Sequence, residues 1–107
     1  RVRRVGGVGV FEHAVALVRA SRPGDASASE LVRNFVAFGA GPRAGQALVL
    51  GAKARAALAG RFAAEVDDVR ALAPPVMRHR LVLNFRAEAE GVRSDDIVNA
   101  LLRDTAP

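Results

Sequence analysis

The sequence has no cysteine, no tryptophan and no tyrosine, and its only histidines are His13 and His79. Without cysteine there is no disulfide framework, thiolate metal site or thiol nucleophile, which fits a cytoplasmic protein. Two histidines fall short of a convincing zinc site, so no metal is expected to bind. With Trp and Tyr absent, the core has to be built from Leu, Val, Ala and five Phe. Long hydrophobic runs are missing too. Arg, Glu or Gly interrupts every stretch before the roughly 18 residues of a membrane span, so no membrane is expected as a partner. The chain opens on Arg1 rather than Met and no signal-peptide pattern follows, so further sequence is expected upstream.

What remains is one domain's worth of chain, 107 residues, half of them hydrophobic and a quarter charged. The formal charge is +5, which raises the question of nucleic acid. Fifteen of the 16 basic residues are Arg, scattered from Arg1 to Arg103, with no dense basic face on any one helix. A free-standing basic module that binds nucleic acid is therefore the alternative reading, and the weaker one.

Gly, Pro and Ser divide the chain into about five helical segments. Residues 1–9 carry three glycines and no period, and read as a tail or linker. Over 10–21, Val10, Phe11, Ala14, Val15, Leu17 and Val18 share one side of a helix. Pro23 and Gly24 stop it. Ser27 and Glu30 have the spacing of a capping box, opening a helix that is expected to bury Leu31, Val32, Phe35 and Phe38. Pro42 suits the first position of a long third helix, with Gly60 as its stop. That helix is apolar on nearly every side, as for the middle of a bundle. Its polar residues Arg43, Gln46 and Lys53 fall on one strip, within roughly 80°. A fourth helix runs over 65–73, and Pro74-Pro75 is expected to break or kink it before a continuation over 76–80. Residues 81–85 fit either a short strand or the tail of that helix, and 88–91 read as a loop. Ser94 is expected to cap a last helix, with Ile97, Val98, Leu101 and Leu102 as its apolar stripe. The fold class is all-α: a small bundle of about five helices, with room for a short strand near 81–85.

No motif here carries catalysis by itself. Gly39 and Gly45 are one residue too far apart for a phosphate loop, and Gln46-Ala47 stand where Lys and Ser or Thr would be needed. Asp67-Asp68 and Asp95-Asp96 do not converge, because neighbours on a helix point about 100° apart. Both pairs suit first turns, where acids favour the helix dipole. His13 is expected on the surface, and His79 at a helix end.

Several blocks taken together nevertheless resemble one family. They are Leu17-Val18-Arg19-Ala20-Ser21-Arg22-Pro23, Gly39-Ala40-Gly41-Pro42-Arg43-Ala44 and the Ala-rich stretch through Lys53 and Arg55. Gly60-Arg61-Phe62, residues 67–81 and the segments beginning at Glu88 and Asp95 follow. Over residues 10–103 they keep the order and approximate spacing of the C-terminal lid of MoxR-type AAA+ ATPases. Gly41 stands where that family often has Ser, and Glu65 where it usually has Ser or Thr. The resemblance implies that residues 1–9 link to a missing upstream ATPase core and that 10–107 form the helical lid. It implies that Arg43 is the sensor-2 arginine reaching the γ-phosphate of ATP, with Gln46 and Lys53 on the same face. ATP and Mg would be held by the parent's core, and the fragment alone would bind neither and be inactive. Partners implied are that core, further copies in a ring, and client proteins of a chaperone-like machine.

Overall fold

The computed structural model describes residues 5–105. Six helices are linked by one small sheet: α1 Val5–Ala20, α2 Glu30–Phe35, β1 Val36–Phe38, α3 Pro42–Leu58, α4 Val66–Met77, β2 Val82–Leu83, α5 Phe85–Glu90 and α6 Ser94–Asp104. The helical reading holds, with amendments. α1 begins at Val5, so residues 5–9 are helix rather than tail. Residues 1–4 of the expected linker lie outside the described residues.

α3 packs most extensively on α4 and next on α1, while α6 closes the bundle against α4. Ala44, Leu48, Ala52 and Ala56 recur every fourth residue along α3 and are buried. The three alanines of this ridge let neighbouring helices come close. At Gly51 an added Cβ would lie 2.7 Å from Leu72 of α4. Leu17, Leu48, Val69, Met77, Ile97 and Val98 fill the space between the helices. α3 is not apolar-buried all round, however: Leu50 and Leu58 are exposed.

α2 opens at Ser29, whose Oγ accepts from Val32 N–H at 3.3 Å, two residues after the expected cap at Ser27. Ser27 instead donates to Asp25 through both its N–H and its hydroxyl. α2 also ends at Phe35, and Phe38, expected in the core, lies exposed on β1. β1 pairs antiparallel with β2, Val36 with Leu83 and Phe38 with Val82. That settles the ambiguous 81–85 segment as strand, followed by the start of α5. The expected loop at 88–91 is instead the end of α5, closed by Gly91 at φ +75°. Asn84 caps the start of α5. Its Oδ1 accepts from Ala87 N–H at 3.0 Å, and its Nδ2 donates to Asn34 O of α2 at 2.7 Å.

Pro74 and Pro75 lie inside α4 without ending it. They leave the carbonyls of Arg70 and Ala71 without their helical donors, yet Val69, Ala73 and Met77 bury the helix's inner face. Ser94 is the first residue of α6 rather than its cap. The capping bond comes from Asp96, whose carboxylate accepts Arg93 N–H at 2.9 Å. Asp68 does the same for Glu65 N–H at the start of α4, at 2.8 Å.

Candidate functional site

Arg43 is the second residue of α3 and is exposed. Gly41 before the helix is extended, with φ −87° and ψ −177°, and having no side chain it supplies no capping bond. Pro42 has no N–H, and Ala44 N–H turns back to Gly41 O at 3.0 Å. The N–H groups of Gly41 and Arg43 are thus left without a partner among the described residues. A helix start with free N–H groups and an arginine beside them favours an anion, by both donors and dipole.

This end of α3 is held by the end of α1. Ser21 is wholly buried; its Oγ donates to Val18 O at 2.6 Å and accepts from Ala40 N–H at 3.0 Å. Arg22 Nε donates to Ala40 O at 3.2 Å. Gly39 passes so close that a Cβ there would sit 2.4 Å from Ser21 O. No sequence pattern singles out Ser21 or Arg22, beyond their place in the Leu17–Pro23 block.

Gln46 and Lys53 are exposed, as is Arg43, on the same strip of α3. Gln46 lies one turn from Arg43, about 4.5 Å further along the axis, and Lys53 stands apart. Ten residues of helix separate Arg43 from Lys53, a rise of about 15 Å. Gln46 borders an open apolar groove of about 600 Å³ between α1 and α3, lined by Phe11, Val15, Val18, Val49 and Leu50. Lys53 flanks a second depression, with Arg61 and Phe62.

Two further polar clusters are structural. Asp68, in the first turn of α4 as expected, is only 1% exposed. It accepts from Arg61 Nη1 and Nη2 at 2.7 and 2.6 Å and from Arg55 Nη1 at 2.6 Å. The Arg61 bonds hold its carboxyl far below the usual range, against the burial that would raise it, with help from Glu65 N–H and Arg55. Gly60, at φ +78°, turns the chain so that Arg61 can reach back. Arg70 donates to Leu102 O and Thr105 O at the end of α6 and lies 3.2 Å from His13 Nε2. His13 is therefore half-buried rather than a free surface residue. Its pKa is lowered by burial first and by Arg70's charge second. His79 is exposed, while Arg78 pairs with Asp95 at 2.7 Å.

Among the described residues no three His, Cys, Asp or Glu side chains come together as metal ligands. No helix there is long and apolar enough to cross a membrane.

The family described as AAA lid domain matches residues 28–101, which run from the residue before the Ser29 cap to the buried stripe of α6. The chain belongs to the AAA lid domain family. Over 97 residues it is 34% identical to Chaperone MoxR1 of Mycobacterium tuberculosis (strain ATCC 25618 / H37Rv), covering 91% of this chain and 26% of that protein. A crystal structure from Cytophaga hutchinsonii ATCC 33406, of a protein provisionally assigned as an ATPase, superposes with a TM-score of 0.79 at 31% identity. It covers 88% of this chain and 28% of the other. The lid thus spans about a quarter of the length of either relative, and its likeness is to MoxR-type proteins. Much of the resemblance falls on scaffold: Ser21 and Arg22 hold the start of α3, and Arg61 and Asp68 join the end of α3 to α4.

Proposed function

We propose that this lid closes over ATP bound by the core of its parent protein, with Arg43 as the contact to the γ-phosphate. The observation that carries the reading is the start of α3, an exposed guanidinium on a rigid helix beside two free N–H groups. ATP with Mg supplies the phosphoryl group. This chain has no Gly-rich loop ending in Lys and Ser or Thr, so the main nucleotide and Mg contacts belong outside it. Its own part is to place positive charge where negative charge develops, and phosphoryl transfer depends chiefly on such positioning and electrostatics. Carried by a whole domain, the same arginine turns phosphate loss into rigid-body motion. Lys53 serves contacts with the parent's core rather than the phosphate, given its distance along α3, while Gln46, one turn from Arg43, supports the same face. Assembly of the parent into a ring that acts on client proteins, in a chaperone-like role, is part of this proposal. It is supported by the 34% identity to a chaperone.

The nucleic-acid alternative is less well supported. Arg19, Arg55, Arg61, Arg78 and Arg86 are paired with carboxylates, and Arg70 is turned into the bundle. The test is Arg43→Ala in the intact parent. ATP turnover is expected to fall by roughly a hundredfold with the lid still folded, and unchanged turnover would refute the assignment.

A further inference from the structure

We infer that Ser21, with Arg22 beside it, is a positioning residue for Arg43, because their clasp on Ala40 fixes the entry to α3, a helix with no side-chain cap of its own. The inference rests on the reading of Arg43 as the phosphate contact. Every other helix start from α2 onward supplies its own capping bond. Ser29 and Asn84 cap α2 and α5, and Asp68 and Asp96 reach back from the first turns of α4 and α6. Only α3 has none, with Gly41 before it and Ala44 at the corresponding position of its first turn. Yet α3 is the helix whose start must be aimed.

The aim comes from α1. Both polar groups of Ala40 are taken, its N–H by Ser21 Oγ and its carbonyl by Arg22 Nε. Ala40 and Ser21 are wholly buried, so water cannot replace the inner bond. Gly39 lies against the Ser21 carbonyl with no room for a side chain. From Ala40 to Arg43 the chain has only Gly41 and Pro42, and the proline ring fixes one of the remaining torsions. The direction of Arg43 is therefore set by the last turn of α1, and α1 moves with it as one piece. Ser21's second bond, to Val18 O at 2.6 Å, orients the hydroxyl so that its lone pair faces Ala40.

The experiment uses the intact parent protein and measures ATP turnover and ATP affinity for Ser21→Ala, Arg22→Met and Arg43→Ala, together with the double variants Ser21→Ala/Arg43→Ala and Arg22→Met/Arg43→Ala. Ser21→Ala is expected to lower kcat by roughly tenfold to a hundredfold while ATP affinity changes little. Arg22→Met should lose less, in the same direction. Each double variant should turn over no more slowly than Arg43→Ala alone, since nothing is left to aim. A merely structural role would instead multiply the two losses, and that result overturns the inference. Full turnover in Ser21→Ala beside an impaired Arg43→Ala also overturns it, while leaving Arg43's role intact. Full turnover in Arg43→Ala would bring down the functional reading itself. Should Ser21→Ala fail to fold, the half-buried Arg22 gives the same comparison through its own single and double variants.

Discussion

Asp68→Ala is expected to destabilise the domain by about 2–3 kcal/mol. The carboxylate is 1% exposed and accepts three bonds from two arginines and one from Glu65 N–H. Breaking a buried ion pair typically costs about 3–5 kcal/mol when a charge is left stranded. Here the arginines are not stranded. Their side chains remain 48% and 34% exposed and can turn to water, so solvent takes back part of the loss. What water cannot easily repair is the uncapped start of α4 and the lost tie between α3 and α4. For a domain of this size, the expected fall in Tm is about 10–20 °C. Thermal denaturation followed by circular dichroism reads it directly, with Asp67→Ala as the control. Asp67 is exposed on the same turn and should cost no more than about 0.5 kcal/mol. The pH dependence gives a second reading. Because the folded pKa of Asp68 lies below its usual value of 3.8, its contribution is complete above that value and is lost as pH falls below it. Asp68→Asn should flatten this acid limb. An Asp68→Ala variant melting within about 3 °C of wild type, or an Asp68→Asn variant with an unchanged acid limb, would refute the reasoning.

Three further outcomes are expected. His13 must accept from Arg70, which has no acceptor of its own, so it is neutral in the fold. Its folded pKa lies below 6.5, so its stabilising contribution is present above that pH and is lost as pH falls. His13→Gln should reduce that loss in melts compared between pH 7 and pH 5, and identical slopes would exclude His13 as its source. Gly39→Ala forces a Cβ against the Ser21 and Arg22 backbone and should cost about 3 kcal/mol or more in denaturant unfolding. Gly51→Ala meets only the movable Leu72 side chain and gains helix propensity, so its stability should stay within about 1 kcal/mol of wild type by the same measurement.

The contrast between those two glycines shows what a sequence can and cannot carry. Helical period located α1 from Val10 onward and the buried stripe of α6, because a long amphipathic repeat has only one good solution, while Pro42 and Gly60 marked the ends of α3. Short elements were harder. The six-residue α5 has too few turns for a period, and its cap, Asn84, fell inside a segment that could be strand or helix. Phe38 looked like the next core position of α2. A strand paired with residues far along the chain claimed it first, and pairing at that separation leaves no local trace. Pro74-Pro75 looked like a break because the missing donors are local, whereas the packing that keeps α4 continuous is not.

At the candidate site the division is similar. A proline-led helix carrying Arg43 in its first turn was legible from local chemistry, and the resemblance of the sequence blocks pointed to a lid. Family membership was therefore legible before any coordinates. Tertiary packing made Asp68 an ion-paired tie rather than a solvated acid. It alone brought Ser21 and Arg22 to Ala40, some 19 residues away in sequence. The physical reason is that periodicity and capping are properties of neighbours on one helix. Burial and the partners of a polar group depend on which helices meet.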